Sequence, residues 1–160
     1  MSDKATVYIE TTIVSYLTAW PSKDVIRLSH EILTRQWWAD SRPHFDLFSS
    51  DFVIAEASAG DPTAAAERLK ALAGIPLLAA SESVDRLAGQ VAASLALPPR
   101  ARMDAAHVAM AAVHGMRFLL TWNCTHLANG ALADRIERVC MDAGFSTPRI
   151  LTPEMLMELP

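Results

Sequence analysis

Four oxygen-bearing side chains stand where apolar segments of the chain end or helix-forming segments begin. Glu10 and Asn123 each follow a short apolar run, and Glu56 and Asp104 lie near the starts of helix-forming segments. Three carboxylates and one amide suit Mg²⁺ or Mn²⁺, which bind through few carboxylates and keep several waters. Such an ion can activate water and stabilise the transition state of phosphodiester cleavage. Taken together, the four residues predict a divalent-metal site.

Each of these residues also has an ordinary structural explanation. Glu10 could cap a helical turn over residues 12–17, and Asp104 could be a first-turn acid favoured by the helix dipole. Glu56 could lie on the solvated face of an amphipathic helix, and Asn123 is a common turn residue. The metal-site interpretation therefore requires that the fold bring all four to one place.

Segments that favour strands alternate along the chain with segments that favour helices. Strands are predicted at 6–9, 45–48, 75–79, 117–121 and 149–151. Helices are predicted at 24–38, 52–58, 62–74, 81–97, 102–114 and 131–144, with a last helical turn from Pro153. This order predicts an α/β fold with a mostly parallel central sheet and helices on both faces. Ligands bind such sheets beyond the carboxyl ends of the strands, where polar residues follow the predicted strands.

The composition is that of a single domain, but its negative net charge does not favour nucleic-acid binding. The chain has 160 residues, 51% of them hydrophobic, which is enough for one core and too little for two. Its net charge is −4, whereas phosphate contacts usually need a basic face. Lys23, Arg27, Arg100 and Arg102 could form a local basic rim that resolves this conflict, or could simply be charges on solvated faces.

Cysteine use and the terminal segments predict a soluble cytoplasmic protein. Cys124 and Cys140 are the only cysteines and form no Cys-x-x-Cys motif, which is typical of a reducing compartment. The spacing of Cys124 and His126 resembles a fragment of a zinc site, but no second pair completes it. The first residues lack the pattern of a secretory signal, and no apolar run has the length of a membrane span.

The ordered set of motifs resembles the PIN-domain family along nearly the whole chain. The matching segments are Val-Tyr-Ile-Glu-Thr-Thr at 7–12, the helix start at 50–56, Asp-Ala-Ala-His-Val-Ala at 104–109 and Leu-Leu-Thr-Trp-Asn at 119–123. The resemblance implies a single three-layer PIN-like domain over residues 1–160. It further implies a divalent-metal ribonuclease, and among bacterial chains of this size a VapC-like toxin of a type II toxin–antitoxin system.

The resemblance also implies roles for individual residues and for partners. Glu10, Glu56 and Asp104 would hold Mg²⁺ or Mn²⁺, and Thr12 or Thr121 would steady a carboxylate or the attacking water. The implied partners are an RNA substrate, a cognate antitoxin protein and a second copy of the chain in a homodimer. No membrane is implied.

Two positions depart from the family pattern. Glu10 stands where the family usually has Asp, and Asn123, which would reach the metal through water or its amide oxygen, stands where Asp is common. Both changes should weaken metal binding, because affinity for hard cations follows ligand charge and geometry. They leave open an alternative function, a catalytically silent PIN-like module that acts through a protein partner. A phosphatase or response-regulator-like enzyme is less compatible, because Glu10 is not the required Asp and no glycine-rich phosphate loop is present.

His107 lies one helical turn from Asp104 and therefore faces the same way. It could orient Asp104 or touch a phosphate. The alternative is a partly buried histidine whose hydrogen bonds are satisfied within the protein.

Overall fold

Short runs rich in β-branched, aromatic and other apolar residues form the strands of a parallel sheet. The structure is a computed structural model that describes residues 2–160. The strands are β1 (Ala5–Ile9), β2 (Phe45–Ser50), β3 (Leu77–Leu78), β4 (Phe118–Leu120) and β5 (Arg149–Leu151). They lie in the order β3-β2-β1-β4-β5, and each neighbouring pair is parallel. The predicted α/β fold with a parallel central sheet is confirmed.

Helices connect the strands and begin at polar capping residues. They are α1 (Thr11–Thr18), α2 (Val25–Gln36), α3 (Asp51–Ala57), α4 (Pro62–Leu72), α5 (Glu82–Ser94), α6 (Arg102–Val113), α7 (Gly130–Asp142) and α8 (Pro153–Met157). Side-chain oxygens of the residues before most of these helices accept a backbone N–H of the first turn, as N-caps do. Within residues 2–160, no helix combines the length and the apolar character that a bilayer crossing requires.

The helices form two groups. The first group contains α1 to α4, which lie between β1 and β3 along the chain and pack against one another. The second group contains α5, α6 and α7. Right-handed crossovers place the two groups on opposite faces of the sheet, because the chain moves across the sheet in opposite directions in the two halves. The sheet is therefore the middle of three layers.

The bounds of several elements differ from the sequence-based expectation. β3 has only two residues where five were expected, and β2 extends to Ser50. α5 ends at Ser94, before the expected 97, because Ala96 adopts a positive φ of 51° that no helix continues through. α2 ends at Gln36 and is followed by a π-helical turn over Trp37–Ser41.

Helix α6 carries two of the candidate site residues, Asp104 and His107. Most of its side chains from Ala105 onward are buried, and it packs mainly against α5. Because alanine is small, this helix can approach its neighbours closely and still bury nearly its whole circumference. His107 thereby reaches Tyr8 of β1 (2.7 Å), whereas Asp104, in the first turn, is partly exposed.

The interior strand β4, which lies between β1 and β5, should contribute much of the stability. Leu119 is fully buried in this strand, and we expect Leu119→Ala to lower the free energy of unfolding by about 2–5 kcal/mol, since it leaves a cavity. Leu77, 46% exposed in β3, is the matched control, and Leu77→Ala should cost about 0.5 kcal/mol or less. Urea unfolding of both variants tests this, and equal losses would contradict the placement of the core.

Candidate metal centre

The candidate site lies where the strand order of the sheet reverses. β1 is flanked by β2 on one side and by β4 on the other, and the chain leaves β1 and β4 at the same edge. Glu10 directly follows β1, and its backbone N–H donates to the carbonyl of Leu120, the last residue of β4 (3.2 Å). Crevices at such switch points are the usual ligand sites of open parallel sheets.

Glu10 is a buried carboxylate held entirely by neutral donors. It is 4% exposed, and its Oε2 accepts the backbone N–H of Thr12 (3.0 Å), which makes it the N-cap of α1. Its Oε1 accepts the hydroxyls of Thr12 (2.7 Å) and Thr121. No Lys or Arg of residues 2–160 lies within ion-pair distance of it. The capping explanation and the site explanation for Glu10 thus describe the same carboxylate.

Glu56 reaches the same edge from α3, the helix that follows β2. Its Oε1 accepts the Thr11 hydroxyl (2.7 Å) and lies 2.6 Å from Nε2 of His107. Burial by itself raises the pKa of Glu56, but the hydrogen bond and charge of His107 and the Thr11 hydroxyl outweigh it, so the net pKa lies below the ordinary value. Glu56 is therefore a charged carboxylate at neutral pH.

His107 belongs to a buried hydrogen-bond network behind Glu56. Its Nδ1 lies 2.7 Å from the Tyr8 hydroxyl, which in turn lies 2.7 Å from the Ser50 hydroxyl. Burial raises the pKa of Tyr8 far above its ordinary value, so the phenol stays protonated. His107 is satisfied within the protein, as one explanation held, but its ring contacts Glu56 rather than Asp104. Its signal in the sequence is a single polar residue within an alanine-rich apolar helix.

Glu10, Glu56 and His107 form the group of titratable side chains best suited to hold a cation. One ligand atom each from Glu10, Glu56 and His107 lies within 4.8 Å of the others, and no other such group occurs in the part of the chain that the structure describes. Buried carboxylates normally pair with a cationic side chain or with a metal. Glu10 has no Lys or Arg partner among residues 2–160, and the group of Glu10, Glu56 and His107 could hold a metal ion.

Asp104 and Asn123 lie outside this group. Oδ2 of Asp104 is 2.9 Å from Nδ1 of His126, and both side chains are partly exposed. The amide oxygen of Asn123 accepts the backbone N–H groups of Thr125 (3.2 Å) and His126 (3.0 Å), so it orders its own turn. Of the four oxygen ligands expected from the sequence, the fold brings Glu10 and Glu56 together. Contact of the other two with a metal stays a prediction.

The lowered pKa of Glu56 should make stability fall on acidification. The folded state binds a proton at this carboxyl less readily than the unfolded state, whose value is near 4.5. The stabilisation is therefore complete above that value and is lost as the pH falls through the lower pKa of the folded state. In metal-free buffer, the Tm difference between wild type and Glu56→Gln should stay constant above about pH 5 and shrink below it. A difference independent of pH from 3 to 7 would contradict this.

Comparison with known proteins leaves the site to be interpreted on its own chemistry. No family model, no curated protein and no solved structure matches the chain. The PIN-domain resemblance therefore stays at the level of the four sequence motifs, and any function must be argued from the residues themselves.

Proposed function

We propose that this protein is a metal-dependent endoribonuclease whose centre is formed by Glu10 and Glu56. The observation that supports this most strongly is the pair of carboxylates at the switch point of the sheet, one of them buried without a Lys or Arg partner among residues 2–160. An oxygen-rich centre of this kind suits Mg²⁺ or Mn²⁺ and phosphodiester hydrolysis.

Hydrogen bonds from neighbouring residues fix the orientation of both carboxylates before a cation binds. Thr12 and Thr121 fix Glu10 through its Oε1, and Thr11 and His107 fix Glu56 through its Oε1. A bound Mg²⁺ or Mn²⁺ would supply Lewis-acid stabilisation of charge on the phosphodiester oxygens. Hydrolysis then adds water across one P–O bond and leaves a phosphate monoester and a hydroxyl end.

Asp104 has a place in this proposal next to the carboxylate pair. It opens the helix that also carries His107, and its carboxylate is partly exposed, so it can still meet a substrate or water. We assign to it either a further contact with the cation, as the family resemblance implies, or the orientation of His126.

RNA is the proposed substrate, and exposed basic residues support it in spite of the net charge. Lys23 and Arg27 are exposed around the start of α2, and Arg100 and Arg102 are exposed around the start of α6, just before Asp104. Positive side chains at these positions offer phosphate contacts without requiring a basic chain as a whole.

The toxin role implied by the resemblance is part of the proposal. An antitoxin or a second copy of the chain needs an apolar contact surface, and isolated large apolar side chains on a surface are normal unless they cluster. Trp20 is 92% exposed, Val25 78% and Ile26 71%, and these three lie close in sequence where α2 begins. Their proximity supports a protein partner at this end of the molecule.

A catalytically silent binding module is the second candidate. The observation that favours it is the placement of Asp104 and Asn123, whose oxygens contact His126 and its turn instead of joining Glu10 and Glu56. A centre with two carboxylates binds a divalent cation more weakly than one with three or four.

Cleavage of a labelled RNA panel with Mg²⁺ or Mn²⁺ tests the enzyme. Glu56→Gln keeps the acceptor oxygen for Thr11 and His107 but removes the charge, so the variant should fold. Changing even an indirect partner of a metal ligand costs about 10- to 100-fold, so loss of a direct ligand should reduce cleavage at least about 100-fold. Asp104→Asn should reduce cleavage as well, while Glu67→Gln, an exposed carboxylate of α4, should not.

The outcomes separate the two candidates. Cleavage that requires added cation and is lost in Glu56→Gln but kept in Glu67→Gln establishes the nuclease. Well-folded protein that binds Mn²⁺ but cuts no member of a panel of transfer, ribosomal and messenger RNA would favour the silent module. Cleavage that persists in a chelator would refute the metal centre.

A further inference from the structure

His107 has a hydrogen-bond partner at each of its two ring nitrogens, and unlike a carboxylate oxygen an imidazole nitrogen has only one lone pair or one proton to share. It is 1% exposed on α6, with Nδ1 2.7 Å from the Tyr8 hydroxyl and Nε2 2.6 Å from Oε1 of Glu56. An imidazole that ligates a metal needs one nitrogen free of both proton and partner. His107 has no such nitrogen in this arrangement.

The partners fix where the proton of His107 must lie. A charged carboxylate only accepts hydrogen bonds, so the contact at 2.6 Å requires that Nε2 carry the proton. On the other side, Tyr8 can donate to Nδ1 while it accepts from Ser50, or can accept from Nδ1 while it donates to Ser50. Nε2 donates to Glu56 in both cases, so the contact does not depend on the charge of the ring.

The two donors on Oε1 of Glu56 leave its other oxygen available. Thr11 and His107 both donate to Oε1, and no backbone or side-chain donor of residues 2–160 contacts Oε2. The Glu56 side chain is 37% exposed and would otherwise turn about several bonds. Two hydrogen bonds at one oxygen hold the carboxylate in one orientation, with the second oxygen open to a cation.

We propose that His107, braced by Tyr8, is a positioning residue that holds Glu56 by one oxygen so that the other can bind the cation. This inference rests on the proposed function, because it concerns the same metal centre. It assigns ligation to the carboxylates and excludes the imidazole from the inner set of ligands. Outer partners of this kind orient a ligand and raise metal affinity.

Two conservative variants at position 107 distinguish the role of Nε2 from that of Nδ1. Gln at position 107 can place an N–H near the position of Nε2, whereas Asn is shorter and can place one only near that of Nδ1. We expect His107→Asn to weaken Mn²⁺ binding about 10- to 100-fold in calorimetric titration, and His107→Gln to stay within about threefold of wild type. His114→Gln is the matched control, because His114 follows the same helix and its side chain hydrogen-bonds the carbonyl of Ala79 (2.8 Å), away from Glu10 and Glu56. Thermal unfolding of each variant shows whether it is folded.

Nitrogen NMR gives a readout that does not depend on cleavage, and its main comparison, wild-type protein with and without Mg²⁺, needs no variant. In metal-free protein, Nε2 of His107 should carry a proton that exchanges slowly with solvent, and Glu56→Ala should remove that protection. Addition of Mg²⁺ should leave Nε2 protonated. Pulsed EPR of the Mn²⁺-loaded protein should show no directly bound imidazole nitrogen.

The results that would overturn the positioning role of His107 differ from the result that would refute the proposed function. Loss of the Nε2 proton on Mg²⁺ addition, or a directly bound nitrogen in the Mn²⁺ spectrum, would make His107 a ligand and overturn the positioning role. Unchanged Mn²⁺ affinity in His107→Asn would overturn it as well. Failure of the wild-type protein to bind either cation would refute the proposed function, and the positioning role with it.

Discussion

The buried carboxylate of Glu10 is the interaction on which the site depends. It follows β1, caps α1 through the backbone N–H of Thr12, and accepts the hydroxyl of Thr121 just after β4. A single side chain thus ties together two neighbouring strands and the helix that leaves the sheet. Burial of a carboxylate without a Lys or Arg partner is costly, and hydrogen bonds from three neutral donors offset that cost. The same contact that organises the sheet edge therefore holds a buried carboxylate at the candidate site.

The two carboxylates of the centre are held in different ways. Glu10 is held by the backbone and hydroxyl of a neighbour two residues away and by one distant hydroxyl. Glu56 lies on a short helix and depends on partners far away in the chain, Thr11 and His107. Behind His107, the network continues through Tyr8 into the core. The centre is accordingly buried on the side of Tyr8 and His107 and exposed on the side of Glu56.

Local physics made much of the fold predictable. Apolar runs of strand length predicted the strands, and polar capping residues such as Ser50 and Asp61 indicated where helices begin. For the third strand, where the expectation failed, the cause was tertiary. β3 is short because only two of its residues pair with β2, and pairing with a neighbouring strand is not encoded in the run itself.

The sequence by itself determined the parallel α/β architecture and the position of Glu10 at a strand end, because periodicity and capping act between near neighbours. Only the tertiary structure decided which polar groups meet. Glu56 and His107 lie 51 positions apart and Tyr8 and His107 lie 99 apart, yet both pairs are in hydrogen-bond contact. Helical spacing showed that Asp104 and His107 face the same way, but it did not show that they take different partners. Helix packing made that choice, because the depth of each side chain in the layers sets which distant donor or acceptor it can reach.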